Sequence, residues 1–202
     1  MKVTRLRCEY LVNPLGIDEK IPRLSWIIKS DRRGTCQSAW HVRVASSAQL
    51  LASGKADLWD SGRIEDDRSA HIIYEGLPLT SRNTCYWQVQ IWDVQGTSVV
   101  SEPAFWTMGL LEKEDWQADW ITANPDYLDC SEHTIKSTLT DPGTPPWFRK
   151  VFTAKELIRQ ATLYTSARGL LELYMNGQRI SNDIFAPEWT DYDKRIHYRT
   201  YD

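Results

Sequence analysis

The chain has 202 residues, 42% hydrophobic and 25% charged, with 24 Lys and Arg against 27 Asp and Glu and a formal net charge of −3. That length suits one or two domains with a buried core, and the slight acidity argues against a nucleic-acid or anionic-membrane partner, either of which favours a basic patch. No stretch approaches the ~20 apolar residues of a membrane span, and the charged opening Met1–Arg7 lacks the apolar region of a secretion signal. The chain as written therefore reads as cytoplasmic, and as periplasmic or secreted if its start was trimmed.

In chain order, Val3 to Val12 is a weak strand that ends where Pro14 removes an N–H and restricts Asn13. Leu24 to Ile28 is a strand closed by the polar run Lys29 to Gly34. Trp40, Val42 and Val44 alternate with His41 and Arg43, so one face of that strand meets a core. Ser46 to Gly54 holds at most one helical turn. Leu58 to Gly62 reads as strand then turn, and Ala70 to Tyr74 as a strand stopped by Gly76 and Pro78. Cys85 to Asp93 carries the strongest signal: Trp87, Val89 and Ile91 point one way, and Tyr86, Gln88, Gln90 and Trp92 the other. Ala104 to Met108 is the seventh strand. Seven short strands separated by turn signals predict an antiparallel sandwich over residues 1–110.

Leu110 to Gln117 is a polar link, and Asp119 to Thr122 opens a second module over 111–202. Asn124 to Pro146 is rich in turn residues and reads as a long loop. Phe148, Val151 and Phe152, then Ala161 to Thr165, are expected to continue a sheet. Asn176-Gly177 supplies the two positive φ angles of a type I′ turn, between the alternating Leu171–Met175 and Gln178–Ile180. Ile196 to Tyr201 is a last strand with no following partner in the sequence. The fold expected is all-β, two consecutive antiparallel sandwiches with the second incomplete. A strand without a neighbour leaves a bare edge. Self-association through it, or disorder from about residue 190, is the expected consequence.

Ten Trp residues are the unusual feature of the composition. Burying one removes on the order of 200 Å² from water, worth about 5 kcal/mol gross, so the fold has first claim on most of them. Cys8, Cys36, Cys85 and Cys130 show no Cys-x-x-Cys spacing, which argues against zinc, and without a secretory signal they read as free thiols.

Few constellations point to chemistry. Glu65, Asp66 and Asp67, like Asp191 and Asp193, are carboxylate clusters of the kind a glycosidase needs, but both sets read as solvated loops, and no catalytic residue is assigned. His41, His71, His133 and His197 lack ligand spacing. Asp129, Glu132 and Asp141 have no calcium-loop pattern, so neither a metal nor a cofactor is expected. Trp189, Asp191, Tyr192 and Asp193 remain, with Tyr198 as a neighbour. The C–H face of a sugar lies against an aromatic ring while carboxylates take its hydroxyls. These four are the candidate carbohydrate-binding residues; the competing reading packs Trp189 and Tyr192 into the sandwich core or docks them onto the neighbouring module.

The runs Asn-Pro-Leu-Gly-Ile-Asp at 13–18, Pro-Arg-Leu-Ser-Trp at 22–26 and Tyr-Trp-Gln-Val-Gln-Ile-Trp-Asp at 86–93 look like the immunoglobulin- or fibronectin-like module that opens bacterial α-L-rhamnosidases. Leu171 to Gly177, Ala-Pro-Glu-Trp-Thr-Asp-Tyr-Asp-Lys-Arg at 186–195 and the lead-in Trp147 to Phe152 resemble the N-terminal β-sandwich module that follows it there. The resemblance implies the non-catalytic N-terminal part of an inverting glycosidase that cleaves terminal α-L-rhamnosides. Its acid and base would sit on an (α/α)6 barrel absent from this sequence, and its partners would be a rhamnose-containing glycan or glycoside and the downstream modules. The alternative reading is a free-standing carbohydrate-binding or adhesion sandwich.

Overall fold

The computed structural model describes residues 1–122, 146–154, 157, 158 and 160–202. Among these residues the structure is all-β apart from one short helix and a 3₁₀ turn. Two compact units emerge: Met1–Asp115 together with Ala161–Asp202, and Trp116–Gln160.

The first part of the larger unit holds eight strands in two sheets. β1 (Lys2–Cys8), β2 (Arg23–Lys29) and β5 (Ile72–Ile73) form a three-stranded antiparallel sheet. β3 (Gln37–Ala45), β4 (Trp59–Asp60), β6 (Thr84–Asp93), β7 (Ser98–Val100) and β8 (Ala104–Thr107) form the other, with order β4-β3-β6-β7 and β8 also on β6. The helix α1 (Ala48–Ala52) has Ser47 as its N-cap, its hydroxyl accepting from the Leu50 N–H, which satisfies one of the orphan donors of the first turn.

The alternation read in β3 and β6 is the alternation observed. Val42, Val44, Trp87, Val89 and Ile91 are fully buried, and Trp40 is nearly so. In register, Trp40 faces Ile91, Val42 faces Val89 and Val44 faces Trp87, so the two strands present one continuous apolar surface to the opposite sheet. From that sheet come Val3, Leu24, Trp26 and Ile72, all buried. Edge-to-face aromatic pairs run through the core: Trp26–Trp40 at 6.2 Å, Trp59–Tyr74 at 5.4 Å, Tyr74–Trp106 at 6.0 Å and Trp87–Trp106 at 6.4 Å. Five of the ten Trp are buried in this sandwich. The half-buried Trp92 stacks outside, under Arg63 at 4.7 Å.

β7 is the strand the sequence reading missed. β7 and β8 share one edge of β6, β7 against Gln90–Trp92 and β8 against Thr84–Trp87. Between them lies Pro103, which has no N–H to give the ladder. Ser101 fills the break, its N–H donating to the Val89 carbonyl and its hydroxyl accepting from the Val89 N–H.

The rest of the larger unit holds β9 (Leu163–Ser166), the hairpin β10 (Tyr174–Met175) and β11 (Gln178–Arg179), and β12 (Tyr198–Tyr201). Asn176 and Gly177 have φ of 51° and 81°, the type I′ turn expected. β12 pairs antiparallel with β9, from Tyr198 opposite Ser166 to Tyr201 opposite Leu163. Residues 163–166 and 198–201 dock on the first sandwich. The Tyr198 hydroxyl accepts from the Leu110 N–H at 2.8 Å, and Arg82 lies over the Tyr164 ring at 5.9 Å. Two glycines admit this approach: a Cβ on Gly109 would sit 2.1 Å from the Tyr198 hydroxyl, and one on Gly16 2.2 Å from the Thr200 hydroxyl.

In the smaller unit the expectation fails. The described residues around Asp119–Thr122, Phe148, Val151 and Phe152 form no strand. They have the composition of a sheet, but a strand exists by pairing, and no ladder partner meets them among the described residues. Trp120, Ile121, Trp147, Phe148, Val151 and Phe152 are exposed. Most of the loop expected at Asn124 to Pro146, with Asp129, Cys130, Glu132, His133 and Asp141, lies outside the described residues.

Candidate functional site

The candidate residues sit on a loop between the β10–β11 hairpin and β12. The loop is anchored at its start by buried Ala186 and Pro187. The Ala186 carbonyl accepts from Leu171 N–H at 2.8 Å, and the Glu188 N–H turns back to the Phe185 carbonyl at 2.9 Å. Phe185 and Glu188 carry φ of 60° and 90°, so the chain reverses tightly and leaves Trp189 79% exposed. Among the described residues Trp189 is therefore not part of a core, and the reading that docks it onto a neighbouring module stays open.

Trp189 and Tyr192 come together as the spacing suggested, with ring centroids 5.6 Å apart and planes at 38°. Tyr192 is half-buried, and its hydroxyl is enclosed without a hydrogen-bond partner. Asp191 organises the turn. Its carbonyl accepts from the Lys194 and Arg195 N–H groups, its carboxylate accepts from the Asp193 N–H at 3.3 Å, and Lys194 pairs with it at 2.9 Å. The Thr190 hydroxyl closes the loop on the Arg195 carbonyl. Asp193 is exposed beside it. The arrangement offers an aromatic platform with a carboxylate and an ammonium at its margin, which suits a polyhydroxylated ring with one apolar face.

Tyr198 does not join the patch. Its hydroxyl is committed to Leu110, and its ring lies 6.2 Å from that of Tyr164. Sequence reasoning missed the charged group beside the loop: Glu188 pairs with Arg199 and faces His197 at 3.8 Å. The spacing of His197 and Arg199, two apart in the strand expected at Ile196 to Tyr201 and hence on one face of it, is the signal that could have found it.

The remaining candidates are held by local partners. Asp66 is engaged by Arg68 at 2.7 Å, and that hydrogen bond brings its carboxyl down to about 2. Glu65 pairs with Arg63 at 2.7 Å. His41 meets Asp60 at 2.6 Å, and His71 meets the Tyr10 hydroxyl at 3.1 Å. Cys8 and Cys85 are free and buried, and burial pushes the Cys85 thiol up to about 12. Cys36 is free and exposed. Among the described residues no helix is long and apolar enough to cross a membrane.

An antiparallel sandwich with an aromatic core, carrying a second β-segment docked on its end, defines the class: an immunoglobulin-type module joined to a further β-module. Residues 3–112 match the family model described as the Rha78A-like N-terminal immunoglobulin domain, and residues 156–202 match that of the α-L-rhamnosidase N-terminal domain. The chain belongs to the family of Rha78A-like N-terminal immunoglobulin domains, continued by α-L-rhamnosidase N-terminal sequence. It is 37% identical over 197 residues to an α-L-rhamnosidase of Alteromonas sp. (strain LOR), covering 96% of this chain and 21% of that protein. It is 33% identical over 201 residues to one from Formosa agariphila, covering 94% and 21%. The solved structure of the α-L-rhamnosidase from Dictyoglumus thermophilum superposes with a TM-score of 0.85 at 32% identity, over 100% of this chain and 23% of that one. The Streptomyces avermitilis α-L-rhamnosidase, solved with L-rhamnose, gives 0.59 at 28%, over 100% and 20%. The chain thus spans about a fifth of the length of these relatives and corresponds to their N-terminal part. The matches favour that reading over a free-standing binding or adhesion sandwich.

Proposed function

We propose that this chain serves as the N-terminal, non-catalytic region of an α-L-rhamnosidase that hydrolyses terminal α-L-rhamnosides with inversion, and that Trp189, Tyr192, Asp191 and Asp193 contribute a sugar contact. The observation that carries the first part is the superposition of the whole chain on the start of a solved rhamnosidase. The second part rests on the exposed, turn-fixed Trp189 beside Tyr192. At 79% exposure the Trp189 ring, packed on Tyr192, leaves stacking surface open to a ligand.

Two measurements test this. The chain by itself leaves an aryl α-L-rhamnoside at its buffer hydrolysis rate; turnover abolished by Asp191→Asn would place a catalytic carboxylate here and sink the non-catalytic reading. Calorimetry with L-rhamnose shows binding that Trp189→Ala removes while the melting temperature stays nearly unchanged. A large drop in melting temperature would assign Trp189 to packing.

A further inference from the structure

Far along the sequence from Trp189, backbone strain gathers at one corner of the first sandwich. Cys8 and Leu11 exchange both backbone hydrogen bonds, at 3.0 and 2.9 Å, around a two-residue turn. Its central residues, Glu9 and Tyr10, have φ of 48° and 65°. A turn with two positive φ angles favours Asn and Gly; here neither is present. His71, against the same turn, has φ of 57°. Strained backbone of this kind persists where surrounding contacts over-determine it, and it clusters at functional sites.

The contacts that hold it are specific. Glu9 takes the Arg23 guanidinium by two hydrogen bonds, 3.1 and 2.6 Å, and accepts from the Arg23 N–H at 2.6 Å. Arg23 lies over the Tyr10 ring at 5.1 Å. The Tyr10 hydroxyl meets His71 Nε2 at 3.1 Å, with the rings edge to face at 5.9 Å. Yet Tyr10 remains 52% exposed, as do Leu11 at 58% and Ile73, opposite Arg23 in the ladder, at 52%. The fold holds a strained turn to present an aromatic ring it does not bury.

We propose that Tyr10, with Arg23 and His71 as hydrogen-bonding groups, Glu9 holding Arg23 in place, and Leu11 and Ile73 as an aliphatic margin, is a second carbohydrate subsite that takes a 6-deoxyhexose. The ring receives the C–H face of the pyranose, the polar groups beside it take hydroxyls, and the aliphatic margin takes the methyl that replaces a hydroxymethyl. A stable protein interface needs about 800 Å² from each partner, more than one tyrosine and two aliphatic side chains supply. The choice of L-rhamnose as the deoxyhexose rests on the rhamnosidase reading above; the site itself does not.

The test is NMR titration of the whole chain with L-rhamnose and with L-mannose, the same sugar bearing a C6 hydroxyl. L-rhamnose should shift the Tyr10 and His71 resonances more than L-mannose does. Tyr10→Gly should abolish the shift at His71, the one of the two resonances that variant retains, without lowering the melting temperature, because Gly relaxes the turn as it deletes the ring; Tyr10→Asn, equally suited to positive φ, is the parallel variant. Trp189→Ala should leave both shifts intact. The proposal is overturned by the absence of shifts at Tyr10 and His71, by a His71 shift that survives in Tyr10→Gly, or by an equal response to both sugars. Shifts confined to Trp189 and Tyr192 would overturn it while leaving the proposed function standing. Concentration-dependent association lost in Tyr10→Gly, with no sugar response, would replace it by a protein interface.

Discussion

Single residues here do their work by where they are pinned. Glu9 shows the balance of terms. Its side chain is only 16% exposed, and burial alone would raise its pKa; the hydrogen bond from Arg23 outweighs this and holds the carboxyl below its ordinary value. A depressed folded-state pKa means that the unfolded state binds the proton more readily. The stability it contributes is therefore present above the unfolded value of about 4.3 and is lost as pH falls through the folded value below it. Glu9→Gln should melt lower than the parent at pH 7, and the two should converge as pH falls below about 4. Thermal melts across that range check this; a gap that does not change with pH would mean the fork with Arg23 adds nothing beyond shape.

At the scale of elements, the core was legible because period-2 alternation has one solution when half of it is Trp, Val and Ile. Trp40–Val44 and Trp87–Ile91 could meet a core in only one way, and Asn176-Gly177 could hardly be anything but a hairpin turn. What escaped depends on neighbours rather than on local residues. Ser98–Val100 is three residues long and is a strand only because β6 offers it an edge. Phe148–Phe152 has strand composition and no ladder among the described residues. The Glu9-Tyr10 turn carries no turn residue at all. At the candidate site, Trp189 with Tyr192 was legible from spacing, while Tyr198 was misplaced because its partner, Leu110, is far away in sequence. The docking glycines were equally hidden: nothing local marks Gly16 and Gly109 as clearances for Thr200 and Tyr198. Gly109→Ala places a methyl 2.1 Å from the Tyr198 hydroxyl, an overpacking worth about 1–3 kcal/mol. Limited proteolysis should then cut residues 161–202 faster, with the Trp fluorescence of the sandwich core retained. Equal cutting rates would show that β9 and β12 tolerate a shifted seat.

For the molecule as a whole, the contrast is between a sandwich with a Trp-rich buried core and a C-terminal segment that leaves most of its large apolar side chains exposed. Trp26, Trp87 and Trp106 are at most 2% exposed, whereas Leu170, Ile184, Phe185 and Trp189 are 57–79% exposed. Among the described residues β12 and β9 have only each other as strand partners, so the outer edge of each meets no further strand there. Exposed apolar side chains beside an open strand edge recruit other chains unless charge blocks them. Arg199, on β12 itself, is spent on Glu188, and Lys194 is spent on Asp191, so the charge available to block this edge is partly neutralised. The chain should therefore self-associate as its concentration rises. Light scattering over a concentration series reads this directly, and Ile184→Lys with Phe185→Asp, the aspartate chosen because it tolerates the positive φ at 185, should push association to higher concentration. A chain that scatters as a monomer throughout, with or without those substitutions, would show that the loops around Trp189 already cover the edge, and that the exposed side chains there are free to meet sugar rather than protein.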